Sequence, residues 1–578
     1  MKRLLSLALL GLLAACTTPQ AIDQTAAPID VGIIAINDFH GALEPPKASV
    51  GAPDGKGGTV AVPAGGAAWL ASAVDSLKAK HPNNVVVAAG DLTSASQLAS
   101  SLHLDEPAVG VMNRIGLEFN AVGNHEFDRG WKELQRLQDG GCEKYTRLQP
   151  CQLEQFKGAG YRYLAASTYK PDGSTLFPAT GMKTFGSGAS KVTVGFIGLS
   201  LREVPTLVAP EQIRGLIFGD EAEAINREVP RLKAAGADAI VVLIHQGGKT
   251  TGESDPNGCE GLNGGILPIL ARIDPRVDVV VSGHTHWAYV CNYGEIDPSR
   301  PILLTSANVY GKAVTDITLT IDPASHRVLA KKAHNVIVQS QAYSSGRGAV
   351  ANTALYPAFR PRADVSAYVA RYVEDAQAQV SRPVGRLSGR ASKAANEGMT
   401  GGSLGNLIAD AQLAASREAG AQIAFTNPFG IRAPIDPGAG GEVTFGQIYA
   451  VQPFNNTLVT MTLTGAQVRD AIEDGLSRAK VQQVLAPSAN VRFTYDLGRP
   501  ASERLLTLTI GGKPVDAQAD YRVTVNNFLA EGGDGFVTFT SGRDVRKGMV
   551  DTDAFQQWIG AVPVRQVPHE QRAIERRN

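Results

Sequence analysis

No surplus of either charge runs through this chain. Lys plus Arg and Asp plus Glu both number 55, so the formal charge is zero. Proteins that grip a nucleic-acid polymer carry a basic excess; none exists here, so any ligand of that chemistry is small. Beyond the first residues no stretch is long and apolar enough to cross a bilayer. The Gly-rich segment 47–66 lacks the Gly-Lys-Ser/Thr ending of a phosphate-cradling Walker loop. No internal repeat is apparent. Cysteine is scarce, with five residues, and none sits in a CxxC pair, which argues against a zinc ribbon.

What is present begins with a targeting signal. Lys2 and Arg3 precede an apolar run, Leu4 to Leu13, too short for a stable span. Leu13-Ala14-Ala15-Cys16 resembles a bacterial lipobox, which implies cleavage after residue 15 and lipid on Cys16; ordinary secretory cleavage near the same small residues is the alternative. Residues 16–29 read as a tether. The chain is therefore expected outside the cytoplasm, anchored to the membrane through that lipid. The four remaining cysteines fit an oxidising compartment. Cys142 with Cys151 and Cys259 with Cys291 is the pairing of shortest loops, although sequence does not fix connectivity.

A length of 578 residues with 43% apolar and 19% charged residues predicts two to four globular domains. Across about 30–345 the chain alternates apolar strands with helical periodicity, which predicts an α/β domain with a largely parallel sheet. Strands are predicted at 31–36, 85–89, 119–122, 192–197, 240–244 and 277–281, and a loop at 47–66. Residues 140–190 read as irregular. A helix over 364–380, within a linker at 346–382, leads to a second, mixed domain at 383–563. The charged tail, 564–578, is expected to fray.

Five of the strand ends carry chemistry. Asp38 and His40 follow the first, Asp91 the second, and Gly123-Asn124-His125-Glu126-Phe127-Asp128 the third. His245 follows a later strand, and His284 and His286 another. Any one of these alone would be a polar turn or an ordinary buried histidine. Together they combine carboxylate, imidazole and amide, a set suited to Mn, Zn, Fe or Co rather than to Ca or Mg. Seven such side chains exceed one ion's need, and Asp91 is the natural bridge between two. In an extended segment Asp38-x-His40 and His284-x-His286 would each point two side chains the same way.

These motifs resemble the signature of the calcineurin-like dimetal phosphoesterases. Asn37-Asp38-Phe39-His40-Gly41 and Gly123 to Asp128 narrow the resemblance to the bacterial periplasmic 5′-nucleotidase and UDP-sugar hydrolase family. That likeness implies a four-layer α/β/β/α metallophosphoesterase domain, a linking helix acting as hinge, and a smaller C-terminal α/β substrate-binding domain. It implies one ion held by Asp38, His40, Asp91 and His286, and another by Asp91, Asn124, His245 and His284. It casts His125, oriented by Asp128, as the group that steadies the transition state or protonates the leaving oxygen. In the second half, the motifs around Asn427–Arg432, Gln452–Asn456 and Asn527–Phe536 resemble the family's nucleotide-binding domain. By likeness Phe454 and Phe528 sandwich the base, Asn456 and Asp534 bind base or ribose, and Arg432 and Arg390 bind phosphate. Two departures stand out: Ala394 falls where relatives carry a further Arg, and Pro428-Phe429 replaces glycines. The expected activity is hydrolysis of nucleoside 5′-monophosphates by a monomer. The alternatives are 2′,3′-cyclic phosphodiesterase/3′-nucleotidase activity, hydrolysis of UDP-sugars or of a thiosulfate ester, and a non-catalytic nucleotide-binding surface lipoprotein.

Overall fold

The computed structural model describes residues 27–252, 254–345, 348–394, 399–454, 456–478 and 481–576. The targeting segment and Cys16 lie outside them. Among the described residues no helix is long and apolar enough to cross a membrane.

Two six-stranded sheets form the first half. One contains β1 (Ile29–Ile36), β2 (Asn84–Ala88), β3 (Phe119–Ala121) and β4 (Arg162–Leu164). The other contains β5 (Thr180–Phe185), β6 (Val192–Leu199), β7 (Ala239–Ile244), β8 (Val279–Ser282), β9 (Ala288–Asn292) and β10 (Leu303–Ala307). The chain then returns to the first sheet as β11 (Ala313–Asp322) and β12 (Arg327–Ile337). The strand orders are β12-β11-β1-β2-β3-β4 and β9-β10-β8-β7-β6-β5. Strands β1 to β4 pair in parallel, as do β6, β7, β8 and β10, with antiparallel strands at the edges.

The period-2 alternation of β1 builds two cores at once. Val31, Ile33 and Ala35 face Val194, Phe196, Val241 and Leu243 of the second sheet. Ile34 and Ile36 face outward onto helices α1 (Ala67–Lys80), α2 (Glu106–Ile115) and α3 (Trp131–Asp139). On the far side α4 (Glu221–Ala234) covers the second sheet. The result is helix, sheet, sheet, helix. Strands buried on both faces read as unbroken apolar runs, which is why they were legible in the sequence.

Helix α5 (Ala363–Val380) follows. It is a packed layer on the first domain: Val365, Tyr368, Val369, Tyr372 and Ala376, at helical spacing, are buried in the same cluster as α1 and α2. Two expectations fail. Residues 47–66 contain a hairpin, Ser49–Pro53 with Thr59–Pro63, since alternation within Val-Ala-Val outweighs the flanking Gly and Pro. The tail does not fray: Arg572 is buried on Asp410 and Pro487, and Ala573–Glu575 pairs in parallel with Val491–Tyr495. Within 140–190 lie β4, β5 and the disulfide Cys142–Cys151; the second disulfide joins Cys259 to Cys291.

In the second half a five-stranded sheet centred on Ile423–Thr426, Asp520–Asn526 and Thr457–Thr464 packs with helices Gly402–Ala415 and Gly465–Leu476. Thr464 caps the latter through a reciprocal box with Gln467.

Candidate metal centre and substrate site

The parallel strands deliver their carboxyl ends to one edge, where open α/β sheets place ligands. Backbone bonds lace the first two loops together there: Asp38 N–H donates to Gly90 O, His40 N–H to Asp91 O and Gly41 N–H to Leu92 O, each at 3.0 Å.

Two clusters of side chains converge. Asp38, His40 and His286 form one, and Asp91, His245 and His284 the other, with the candidate ligand atoms of each within 4.8 Å of one another. His284 and His286 thus serve different clusters, where an extended His-x-His would have sent both to one. The reason is backbone conformation. Asp38, His40, Asp91, His284 and His286 all have left-handed φ, between 46° and 68°. Such positions are costly for residues with a Cβ and persist where the surroundings over-determine them, as at functional sites. Asp38 and His40 therefore converge through left-handed turns, without any strand alternation.

The tautomers are fixed from behind. His40 Nδ1 donates to Ser94 O at 2.9 Å, and His245 Nδ1 to Ala89 O at 2.7 Å. Each ring then presents an Nε2 lone pair to the cluster. His40 Nε2 lies 3.3 Å from His286 Nε2 and 3.8 Å from Asp91 Oδ2. The same Asp91 Oδ2 lies 2.8 Å from His245 Nε2, so this oxygen touches both clusters. Asn124 is buried beside them.

Burial lowers the pKa of His40 and His284 to about 3, with Asp91 opposing in both cases, so these rings stay neutral. At His245 burial also lowers, but adjacent Asp91 outweighs it and the value rises to about 10. Burial, reinforced by Asp91 and opposed by His245, raises Asp38 to about 7. Two buried carboxylates beside imidazoles that burial keeps neutral at His40 and His284 call for positive charge at this point, and without an ion it falls on His245.

Glu126 holds the frame. Its carboxylate accepts from Asp91 N at 2.8 Å, Leu92 N at 2.7 Å and Gly123 N at 2.7 Å, tying the loop after β2 to the loop after β3. A Cβ on Gly123 would collide with the Asp91 carboxylate, so only glycine lets the loops approach. Sequence reasoning quoted Glu126 within its motif and gave it no task. It also missed Asn37, which donates to Asp38 Oδ2 and Asn308 O, both at 2.7 Å. The signal available was an unpaired acid or amide in a short loop flanked by buried strands.

His125 stands over the clusters. Its backbone N–H donates to Asp91 Oδ1 at 2.9 Å and its Nδ1 lies 2.8 Å from Asp128 Oδ2. Burial depresses its pKa, but Asp128 and Asp91 more than restore it, leaving it above the ordinary histidine value.

The second domain reaches into this site. Phe454 stacks on His125 with ring centroids 5.8 Å apart, and the Arg432 guanidinium lies 5.7 Å from the Phe454 ring. The positive charge of Arg432 is felt at His40, His125, His284 and His286. The other substrate candidates lie within the second domain. Arg390 Nε is 2.9 Å from Asp436 Oδ1. Asp534 accepts from Asn427 Nδ2 at 2.8 Å. Phe528 lies against Gly533, and the backbone carbonyl of Asn456 accepts from Asp551 N–H at 2.8 Å.

Residues 32–288 match the family model of the calcineurin-like phosphoesterases, and residues 378–541 that of the 5′-nucleotidase C-terminal domain. The chain belongs to the 5′-nucleotidase family. As a member of it, this phosphoesterase is a metal-dependent hydrolase. It is 29% identical over 585 residues to cell wall protein Lmo0130 of Listeria monocytogenes, covering 94% of this chain and 68% of that protein. It is also 29% identical over 512 residues to endonuclease YhcR of Bacillus subtilis, covering 87% of this chain but only 37% of the relative. A 5′-nucleotidase precursor from Thermus thermophilus superposes with a TM-score of 0.72 at 26% identity, over 95% of this chain and 99% of that one.

The family implies divalent ions, and the phosphoesterase's donor set fits them. Asp91 Oδ2, Asn124 Oδ1 and His245 Nε2 are buried with no hydrogen-bond partner. Asp91 Oδ2 and His245 Nε2 approach to 2.8 Å without the geometry of a hydrogen bond. Lone pairs that face one another inside a protein need a cation between them.

Proposed function

We propose that this chain hydrolyses nucleoside 5′-monophosphates to nucleoside and phosphate on the outer side of the membrane. The observation that carries the reading is the convergence of the two Asp/His clusters with Arg432 and Phe454 of the other domain, across His125.

One ion would be held by Asp38, His40, Asp91 and His286, and a second by Asp91, Asn124, His245 and His284, with Mn, Zn, Co or Fe the metals this mixed set suits. Bound there, divalent metal supplies the Lewis acidity that makes water nucleophilic and offsets charge on a transferring phosphoryl group. The chain's own residues do the rest. Asp128 accepts from His125 Nδ1 and so aims Nε2 outward, and the raised pKa keeps a proton there for the departing ribose oxygen. Arg432 presents a planar fork to phosphate oxygens. Phe454 offers a face to the base, with Phe528 as the opposing wall and Asn456 and Asp534 reading base or ribose. Arg390 is paired with Asp436.

Phosphate release from AMP, UDP-glucose, 2′,3′-cyclic AMP and 3′-AMP with added Mn²⁺ tests the reading. AMP as the preferred substrate supports it. Preference for the cyclic or 3′ ester would replace it with the phosphodiesterase alternative, and no release from any of the four would leave a nucleotide-binding lipoprotein. The extracytoplasmic placement is supported by the two disulfides. A Cys16→Ser variant that stays in the membrane fraction would count against the lipid anchor.

A further inference from the structure

Around the phosphate position the cations are not equivalent. Arg390 has an acid of its own, Asp436, at 2.9 Å. Arg432 has none: among the described residues its guanidinium makes no ion pair or hydrogen bond, and it lies 5.7 Å from the Phe454 ring. A second cation shares that condition. Ala391 and Ile435 form an antiparallel bridge, with Ala391 N–H donating to Ile435 O at 3.0 Å and Ile435 N–H to Ala391 O at 2.9 Å. Lys393, two residues on from Ala391, and Arg432, three before Ile435, leave this bridge on its two arms, near enough for the guanidinium charge to act on the ammonium. Lys393 is partly buried and also makes no ion pair or hydrogen bond among the described residues.

We propose that Lys393 is a second phosphate-binding cation, acting with Arg432 on the non-bridging oxygens of the substrate's phosphoryl group. The proposal rests on the nucleotide-hydrolase reading above. An unpaired lysine half-withdrawn from water next to an unpaired arginine is unfavourable by itself, since burial and like-charge repulsion both act against it. Both effects are felt: burial first, and then Arg432, push the Lys393 ammonium down to about 8. A doubly charged anion placed between the two cations removes the repulsion and pairs both groups. The division of labour follows from shape. The guanidinium fork takes two oxygens side by side, and the compact ammonium takes a third as a point charge. Arg390 cannot fill that place without first giving up Asp436.

The test compares wild type, Lys393→Met, Lys393→Arg, Arg432→Met and Arg390→Gln in the metal-loaded full chain. The readouts are KM and kcat for AMP and competitive inhibition by inorganic phosphate, with bound metal measured in each variant. Loss of one charge-assisted contact is worth about 10- to 100-fold in affinity. Lys393→Met is expected to raise both the KM for AMP and the inhibition constant for phosphate by that factor. Its kcat and metal content should hold, as for removal of a contact made equally in ground and transition states. Lys393→Arg should recover much of the loss, and Arg390→Gln should lose less than Lys393→Met. Unchanged phosphate inhibition in Lys393→Met, with Arg432→Met impaired, would overturn this proposal and leave the phosphate site intact. Unchanged inhibition in both would show that phosphate does not bind here, and the nucleotide-hydrolase reading would fall with it. Loss of metal in Lys393→Met would overturn the proposal by showing a structural role.

Discussion

At the scale of single residues, the centre divides labour between neighbours in one six-residue stretch. His125 points over the clusters and is held by Asp128, whereas Glu126 points back and holds three backbone amides of the two ligand loops. Their substitutions should therefore fail differently. His125→Ala is expected to keep its metal and lose turnover by about 10²–10⁴. Glu126→Ala leaves those buried amides without an acceptor and frees Asp91 to drift, so metal affinity should fall about 10- to 100-fold, as for loss of groups that orient ligands. Elemental analysis beside single-turnover rates separates the two; metal lost from His125→Ala, or fully retained by Glu126→Ala, contradicts the assignment. Most of the ligand set was legible in the sequence because each member ends an apolar strand. The left-handed backbone at Asp38, His40 and His284 was not, since nothing in those residue types announces positive φ.

At the scale of elements, legibility tracks burial. β1, β2 and β7 are apolar on both faces and stood out, while the hairpin at 49–63 and the strand at 573–575 are short, partly exposed and flanked by Gly, Pro or charge. Helix Asp551–Gly560 of the second domain carries a feature no pattern shows. Asp551, its first residue, is buried, and burial raises its carboxyl to about 8 despite help from Thr552 N–H and Asn456. An acid whose pKa rises on folding binds more protons when folded, so its contribution to stability declines as pH climbs from about 4, the unfolded value, to about 8. Asp551→Asn removes the ionisation and keeps an acceptor. Relative to wild type, the variant's melting temperature should gain a few degrees more at pH 9 than at pH 5, on the order expected for ~1 kcal/mol. An equal difference at both values would show that Asp551 is ionised in the folded chain.

At the scale of the whole molecule, the metal clusters belong to the first domain and the second reaches them through Phe454. Tyr449 of the second domain shares a hydrogen bond with Ser101 of the first, and Ser101 in turn accepts from Arg129, beside the His125–Asp128 pair. The stack of Phe454 on His125 continues that contact toward the metal clusters. Helix α5 packs on the first domain through Val365, Tyr368 and Tyr372, and its end at Val380 lies against Gly446 of the second. If the second domain brings the base and the first does the chemistry, Phe454→Ala should raise KM for AMP about 5- to 100-fold, the worth of one stacked base. The same variant should leave hydrolysis of p-nitrophenyl phosphate, which has no nucleobase, nearly unchanged. Equal losses on both substrates would mean that Phe454 acts on His125 rather than on the base.

The catalytic outcomes rest on the proposal that Asp91, whose Oδ2 approaches both clusters, would help to hold two cations. The most direct measurement is the metal content of wild type and Asp91→Ala after loading with Mn²⁺ or Zn²⁺ and removal of free ion. The account predicts two ions per chain in wild type, one for each cluster, and loss of both from Asp91→Ala. A wild-type chain holding fewer than one ion, or an Asp91→Ala variant with undiminished content, would contradict it.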